Sequence, residues 1–177
     1  MLIQAGVFKT SGGFNEEFMP ILEDVEFSHR LKRMGYRLRM EPDIQVQHIF
    51  DFTLKKSFGN GIRKTKYWSI YSIKNKDLLS DSGTASLEIK FNVLSCFANL
   101  TLLFLALLLN NWVVTVPVLF LYGTNLYLNR NLIRAFIKTR GSYFAISSVL
   151  YYTFLYPFAV GIGAFSAIFS QHFGFRP

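Results

Sequence analysis

The sequence predicts a small α/β unit joined to an α-helical region that crosses a membrane three times. Two observations carry that expectation. Charge is segregated: residues 1–90 hold all 11 Asp and Glu and 14 of the 19 Lys and Arg, while residues 91–177 hold the remaining 5 basic residues and no acid. The apolar pattern also changes, from short helical and alternating stretches at the N-terminal end to long unbroken runs at the C-terminal end. A formal charge of +8 with 51% hydrophobic residues separates the chain further from an ordinary soluble domain.

The elements follow in order. Met1 to Phe8 alternate loosely and are too short for a nucleotide-binding unit, and Ser11, Gly12 and Gly13 then form a loop that a ligand can approach closely. Pro20 closes a linking segment. From Glu23 to Met34 the apolar residues Phe27, Leu31 and Met34 fall on one stripe of a helix that Gly35 stops. Glu23 and Asp24 occupy its first turn, where unpaired N–H groups and the helix dipole favour negative charge. Glu26 and Arg30, four apart, are placed to pair. Tyr36, Leu38 and Met40 alternate with Arg37 and Arg39 as in a half-buried strand, and Pro42 ends it. Ile44, Val46 and His48 alternate again, which turns the His48 imidazole toward a core.

From Thr53 to Ser72, Lys55, Lys56, Arg63, Lys64 and Lys66 are interleaved with Phe58, Tyr67, Trp68 and Tyr71, a composition suited to the membrane interface. Gly59 and Gly61 argue against one continuous helix there, and Lys74 to Glu88 reads as a polar loop. A bilayer core of about 30 Å needs about 20 apolar helical residues, which the runs at about 91–109, 112–128 and 143–169 supply. The middle run, weakened by Pro117, Gly123, Thr124 and Asn125, is alternatively a buried or re-entrant helix. Lys90 before the first run, and Arg130, Arg134, Lys138 and Arg140 before the third, put residues 1–90 on the cytoplasmic side of a multi-pass protein and Pro177 on the other. The mixed-charge N-terminus lacks the basic-then-apolar pattern of a signal peptide. Cys96, the only cysteine, allows neither a disulfide framework nor a cysteine metal site within one chain. Lipid headgroups are the nearest polyanion to the basic segment, so no nucleic-acid partner is expected.

One ordered set of residues carries chemistry. Gly12, Gly13, Phe14, Asn15, Glu16 and Phe18, then Glu23, Asp24, Val25, Glu26, Phe27, Arg30, Leu31, Gly35 and Tyr36, then Pro42 and His48, together resemble the C-terminal part of family 2 glycosyltransferase catalytic domains. The resemblance covers about residues 2–50 and extends loosely through Gly59 to Trp68. Asn15 and Glu26 stand where the family often has Asp. The resemblance implies a GT-A α/β remnant over residues 1–52, an interfacial segment and loop over 53–90, and the membrane region over 91–177. It also implies inverting sugar transfer from a nucleotide-diphosphate donor to a hydroxyl, with Asp24 as general base and a lipid-linked or glycan acceptor. Gly12, Gly13, Glu23, Arg30 and His48 become substrate-side candidates, and Arg63, Lys64 and Trp68 interfacial or phosphate-contacting ones.

Each candidate also has a plainer role open to it. Asp24 serves equally as a helix-terminus acid and Arg30 as a partner of Glu26. His48 packs in a core or touches a metal or diphosphate, and Arg63 and Lys64 rest on the membrane surface. The complete family enzyme uses a divalent metal, Mg or Mn, but these residues contain no Asp-x-Asp element and no nucleotide-binding unit. The chain alone is therefore expected not to transfer sugar. A non-enzymatic membrane subunit, bound to a partner chain that carries the nucleotide site, is the alternative.

Overall fold

A computed structural model describes residues 2–39, 41–44, 53–80 and 86–172. Seven α-helices run in order among them: α1 (Ala5–Thr10), α2 (Glu23–Arg33), α3 (Leu54–Asn75), α4 (Leu87–Leu108), α5 (Val116–Leu128), α6 (Arg130–Leu150) and α7 (Tyr156–His172). The expected α/β remnant is corrected to an all-helical fold, since no strand occurs among the described residues. Tyr36 to Arg39 alternate as a strand would, but no strand among the described residues offers a hydrogen-bond ladder and Tyr36 and Leu38 are both exposed. Arg39 instead pairs with Glu41 at 3.0 Å. The second expected strand, with His48, lies outside the described residues.

The N-terminal unit is small and aromatic. Helix α1 appears where only loose alternation is visible in the sequence. It ends at Gly12 and Gly13, whose φ angles of 82° and 67° suit residues without a Cβ. The turn brings Phe8, Phe14 and Phe27 into one cluster with ring centroids 5.0–5.5 Å apart. Helix α2 buries Phe27 and Leu31 as its stripe requires, whereas Met34 is exposed at the end of the helix. Gly35, at φ 88°, ends α2 as expected, with Tyr36 N–H donating back to Leu31 O at 3.0 Å.

Helix α3 is continuous through Gly59 and Gly61, against expectation, and the reason lies in its packing on α7. A Cβ at Gly61 would stand 3.0 Å from the Tyr156 ring and 3.2 Å from Ala159 Cβ. One at Gly163 would stand 2.4 Å from Ile62 O. Small residues at Gly61, Ala159, Gly163 and Ala167 thus let the two helices approach closely along their length. The pair runs in one direction, because Ser57 Oγ meets Tyr151 Oη at 2.8 Å near one end and Ile70 and Tyr71 share a core with Ala167 at the other. Phe18 and Leu22 complete that core, so the C-terminal end of α7 lies against the N-terminal unit.

Helices α4 and α5 form a hairpin turned at Asn110, where φ is 47°, and α5 is preceded by a 3-10 turn at Trp112–Thr115. Buried amides pin it: Asn125 Nδ2 donates to Asn92 Oδ1 at 2.8 Å and Ser95 Oγ at 3.2 Å. Asn92 Nδ2 in turn donates to Tyr152 O at 2.6 Å, within a π turn (Tyr151–Leu155) that loosens the ordinary carbonyl ladder. Arg130, Arg134 and Lys138, ahead of the third apolar run, lie on α6. That helix breaks at Arg140 and Gly141, and Phe136 and Phe144 fold back on each other with ring centroids 5.8 Å apart.

Two helices, Leu87–Leu108 and Arg130–His172, are long and apolar enough to cross a membrane. Trp112–Leu128 is a shorter apolar helix. Their outward faces are greasy: Leu94 is 70% exposed, Phe120 72% and Phe165 70%. Such a belt is costly in water and ordinary in lipid.

Candidate functional site

The carboxylates of interest stand at the start of α2, beside the glycine turn. Asp24 is exposed, and its Oδ1 accepts from the Val25 N–H at 2.8 Å. Glu23 is half-buried, with Oε2 enclosed and without a hydrogen-bond partner. An enclosed, unpaired carboxylate oxygen costs stability, which marks Glu23 as a residue under constraint at this helix start.

Arg30 joins α2 to the turn. Its guanidinium donates to the carbonyls of Ser11 and Gly13 and pairs with the buried Glu26 at 3.1 Å. It also lies over the Phe27 ring, 5.3 Å from the centroid. A Cβ at Gly12 would come within 3.3 Å of Arg30 Nη1, so the glycine also makes room for the clamp. The pairing expected between Arg30 and Glu26 is present. Its two bonds to the turn were not legible, since nothing in the local spacing links residue 30 to residues 11 and 13. Together these contacts hold the first turn of α2, with Asp24 and Glu23, against a loop of fixed shape.

The remaining candidates separate. Arg63 is exposed on α3, while Lys64 and Trp68, also on α3, line a cavity toward α4 and α7. His48 lies outside the described residues. Among those that are described, no three His, Cys, Asp or Glu side chains are grouped to hold a metal ion. The metal expected of the complete family enzyme therefore has no ligand set among the described residues.

Two residues were missed by sequence reasoning. His29 Nδ1 meets Tyr71 Oη at 2.8 Å, joining α2 to α3 beside a pocket of about 370 Å³ that Lys32, Arg33 and Asp77 also line. Burial pushes the Tyr71 phenol above its ordinary value; Arg33 opposes the shift and the charges of Glu26 and Asp77 add to it. The two residues are far apart in sequence, and no periodicity signals their pairing.

Comparison with family models, curated proteins and solved structures finds no match for the chain.

Proposed function

We propose that the chain forms the acceptor side of a membrane-bound family 2 glycosyltransferase, which moves a sugar from a nucleotide-diphosphate donor to a hydroxyl with inversion. Asp24 is the general base. It accepts the hydroxyl proton as the acceptor oxygen attacks the anomeric carbon, and the nucleoside diphosphate leaves from the opposite face. Glu23 stands beside Asp24 in the same first turn of α2. The donor site lies outside these 177 residues, on a longer native chain or a partner polypeptide.

One observation carries this proposal most strongly: the ordered glycine turn and acidic helix start, tied together by Arg30. A helix-terminus acid alone does not call for a half-buried arginine to lock the neighbouring loop. The long apolar helices add a bilayer location and favour a lipid-linked or nascent glycan acceptor.

The protein is multi-pass in this proposal, with residues 1–90 cytoplasmic according to its basic flanks. Ala167 shares a core with Phe18 and Leu22, so the end of α7 is assigned to that same side, a revision of the expectation that Pro177 lies opposite.

The test uses membranes from cells that make the native protein, supplied with labelled nucleotide sugars. Label should enter a lipid-extractable or polymeric product and be absent from membranes lacking the gene. Absence of any gene-dependent transfer across the common nucleotide sugars would overturn the enzyme assignment.

A further inference from the structure

A well-formed cavity stands apart from the acidic helix start. It lies between α3, α4 and α7, has a volume of about 530 Å³, and falls within the range of about 300–1,000 Å³ usual for small-molecule sites. Its walls are of two kinds. Val93, Phe97, Val160 and Ala164 give it an apolar side, built from the two helices long enough to cross a membrane. Lys64 and Lys90 line it as well, with hydroxyls from Ser57, Thr65 and Ser69, and no carboxylate is among the described lining residues. Lys90 is steadied by donating to Ser80 O at 2.5 Å, which leaves further ammonium protons for a ligand.

Two cations with no counter-charge among the described lining residues, set beside a greasy wall at the edge of apolar helices, match one kind of molecule. We infer that this cavity holds an anionic glycerophospholipid of the bilayer, its phosphate between Lys64 and Lys90 and an acyl chain along Val93, Phe97 and Val160. Basic pockets between membrane helices take such headgroups because each cation contributes where the phosphate is partly withdrawn from water. The apolar wall adds burial for the chain, which a free phosphate cannot use. This site stands apart from Asp24 and does not depend on the transferase proposal.

Trp68 lines the cavity and reports on it directly. The only other tryptophan is Trp112, which is 76% exposed at the α4–α5 turn. The experiment reconstitutes the Trp112→Phe protein into phosphatidylcholine vesicles that contain a minority of phosphatidylglycerol with brominated chains. Quenching is compared with that by brominated phosphatidylcholine.

The expected result is a preference of about tenfold for phosphatidylglycerol at Trp68, falling to about twofold in Lys64→Gln/Lys90→Gln. Trp112, read alone in Trp68→Phe, should show no preference. Lys64→Gln by itself changes an exposed residue on α3 and should give an intermediate value, so the reading survives if the double variant folds poorly. Equal quenching by both lipids in the parent, or a preference unchanged by loss of Lys64, overturns the inference. Relief of quenching by inorganic phosphate would assign the lysines to a soluble anion and overturn it equally.

Discussion

Arg30 does more than its spacing to Glu26 suggests. A guanidinium reaches two carbonyls and a carboxylate at once because its donors are fixed in a fork, and an ammonium does not reproduce that geometry. Arg30→Lys should therefore free the glycine turn while keeping the charge, at a cost of about 2 kcal/mol. Faster hydrogen exchange of the Gly12–Phe14 amides, with exchange in α4 unchanged, is the expected reading. Tyr71 allows a second check. Its pKa is raised in the folded protein, so the neutral phenol is favoured by folding, and the contribution is present below pH about 10 and lost as pH rises through the raised value. The ultraviolet difference titration, parent minus Tyr71→Phe, should show this phenol still mainly neutral at pH about 10. Half-ionisation at or below that pH would contradict its burial against α2. At this scale the ion pair of Glu26 and Arg30 and the Gly35 stop were legible, because each follows from spacing within one helix. His29 with Tyr71, and Arg30 with the turn, were not, because tertiary packing alone brings them together.

At the scale of elements, glycine was the misleading signal. Intrinsic propensity counts Gly59 and Gly61 against a helix, but α3 is held by its contact with α7, and packing decides. The two kinds of glycine should respond oppositely to the same change. Gly163→Ala forces a methyl against the α3 backbone and should destabilise the protein by about 1–3 kcal/mol. Gly59→Ala meets nothing within 4 Å and should be neutral or stabilising by up to about 1 kcal/mol. Thermal unfolding in detergent separates them, and equal behaviour would remove the close α3–α7 contact from the account. The expected strand at Tyr36 to Met40 failed for a related reason. Alternation describes what a strand would bury, but pairing needs a second strand, which the described residues do not provide. The apolar runs overlap helices Leu87–Leu108, Trp112–Leu128 and Arg130–His172, while the break at Arg140 and Gly141 has no loss of helical composition before it.

For the whole molecule, the segregation of charge was the most legible feature, and two helices long and apolar enough for a bilayer follow from it. Less visible was the way the N-terminal unit is seated. Phe18, Leu22, Ile70, Tyr71 and Ala167 come from three separate parts of the chain and form one core, so the acidic start of α2 is anchored to the apolar helices. That anchoring fits an enzyme whose acceptor stays in or near the membrane. The central claim is the assignment of Asp24 as base, and one comparison tests it most directly: transfer rates in matched native membranes carrying Asp24→Asn or Glu23→Gln. Loss of about 10²–10⁴-fold for the first, with less than about tenfold for the second, is the predicted result. Undiminished transfer in Asp24→Asn, with the protein present at the normal level, would contradict it.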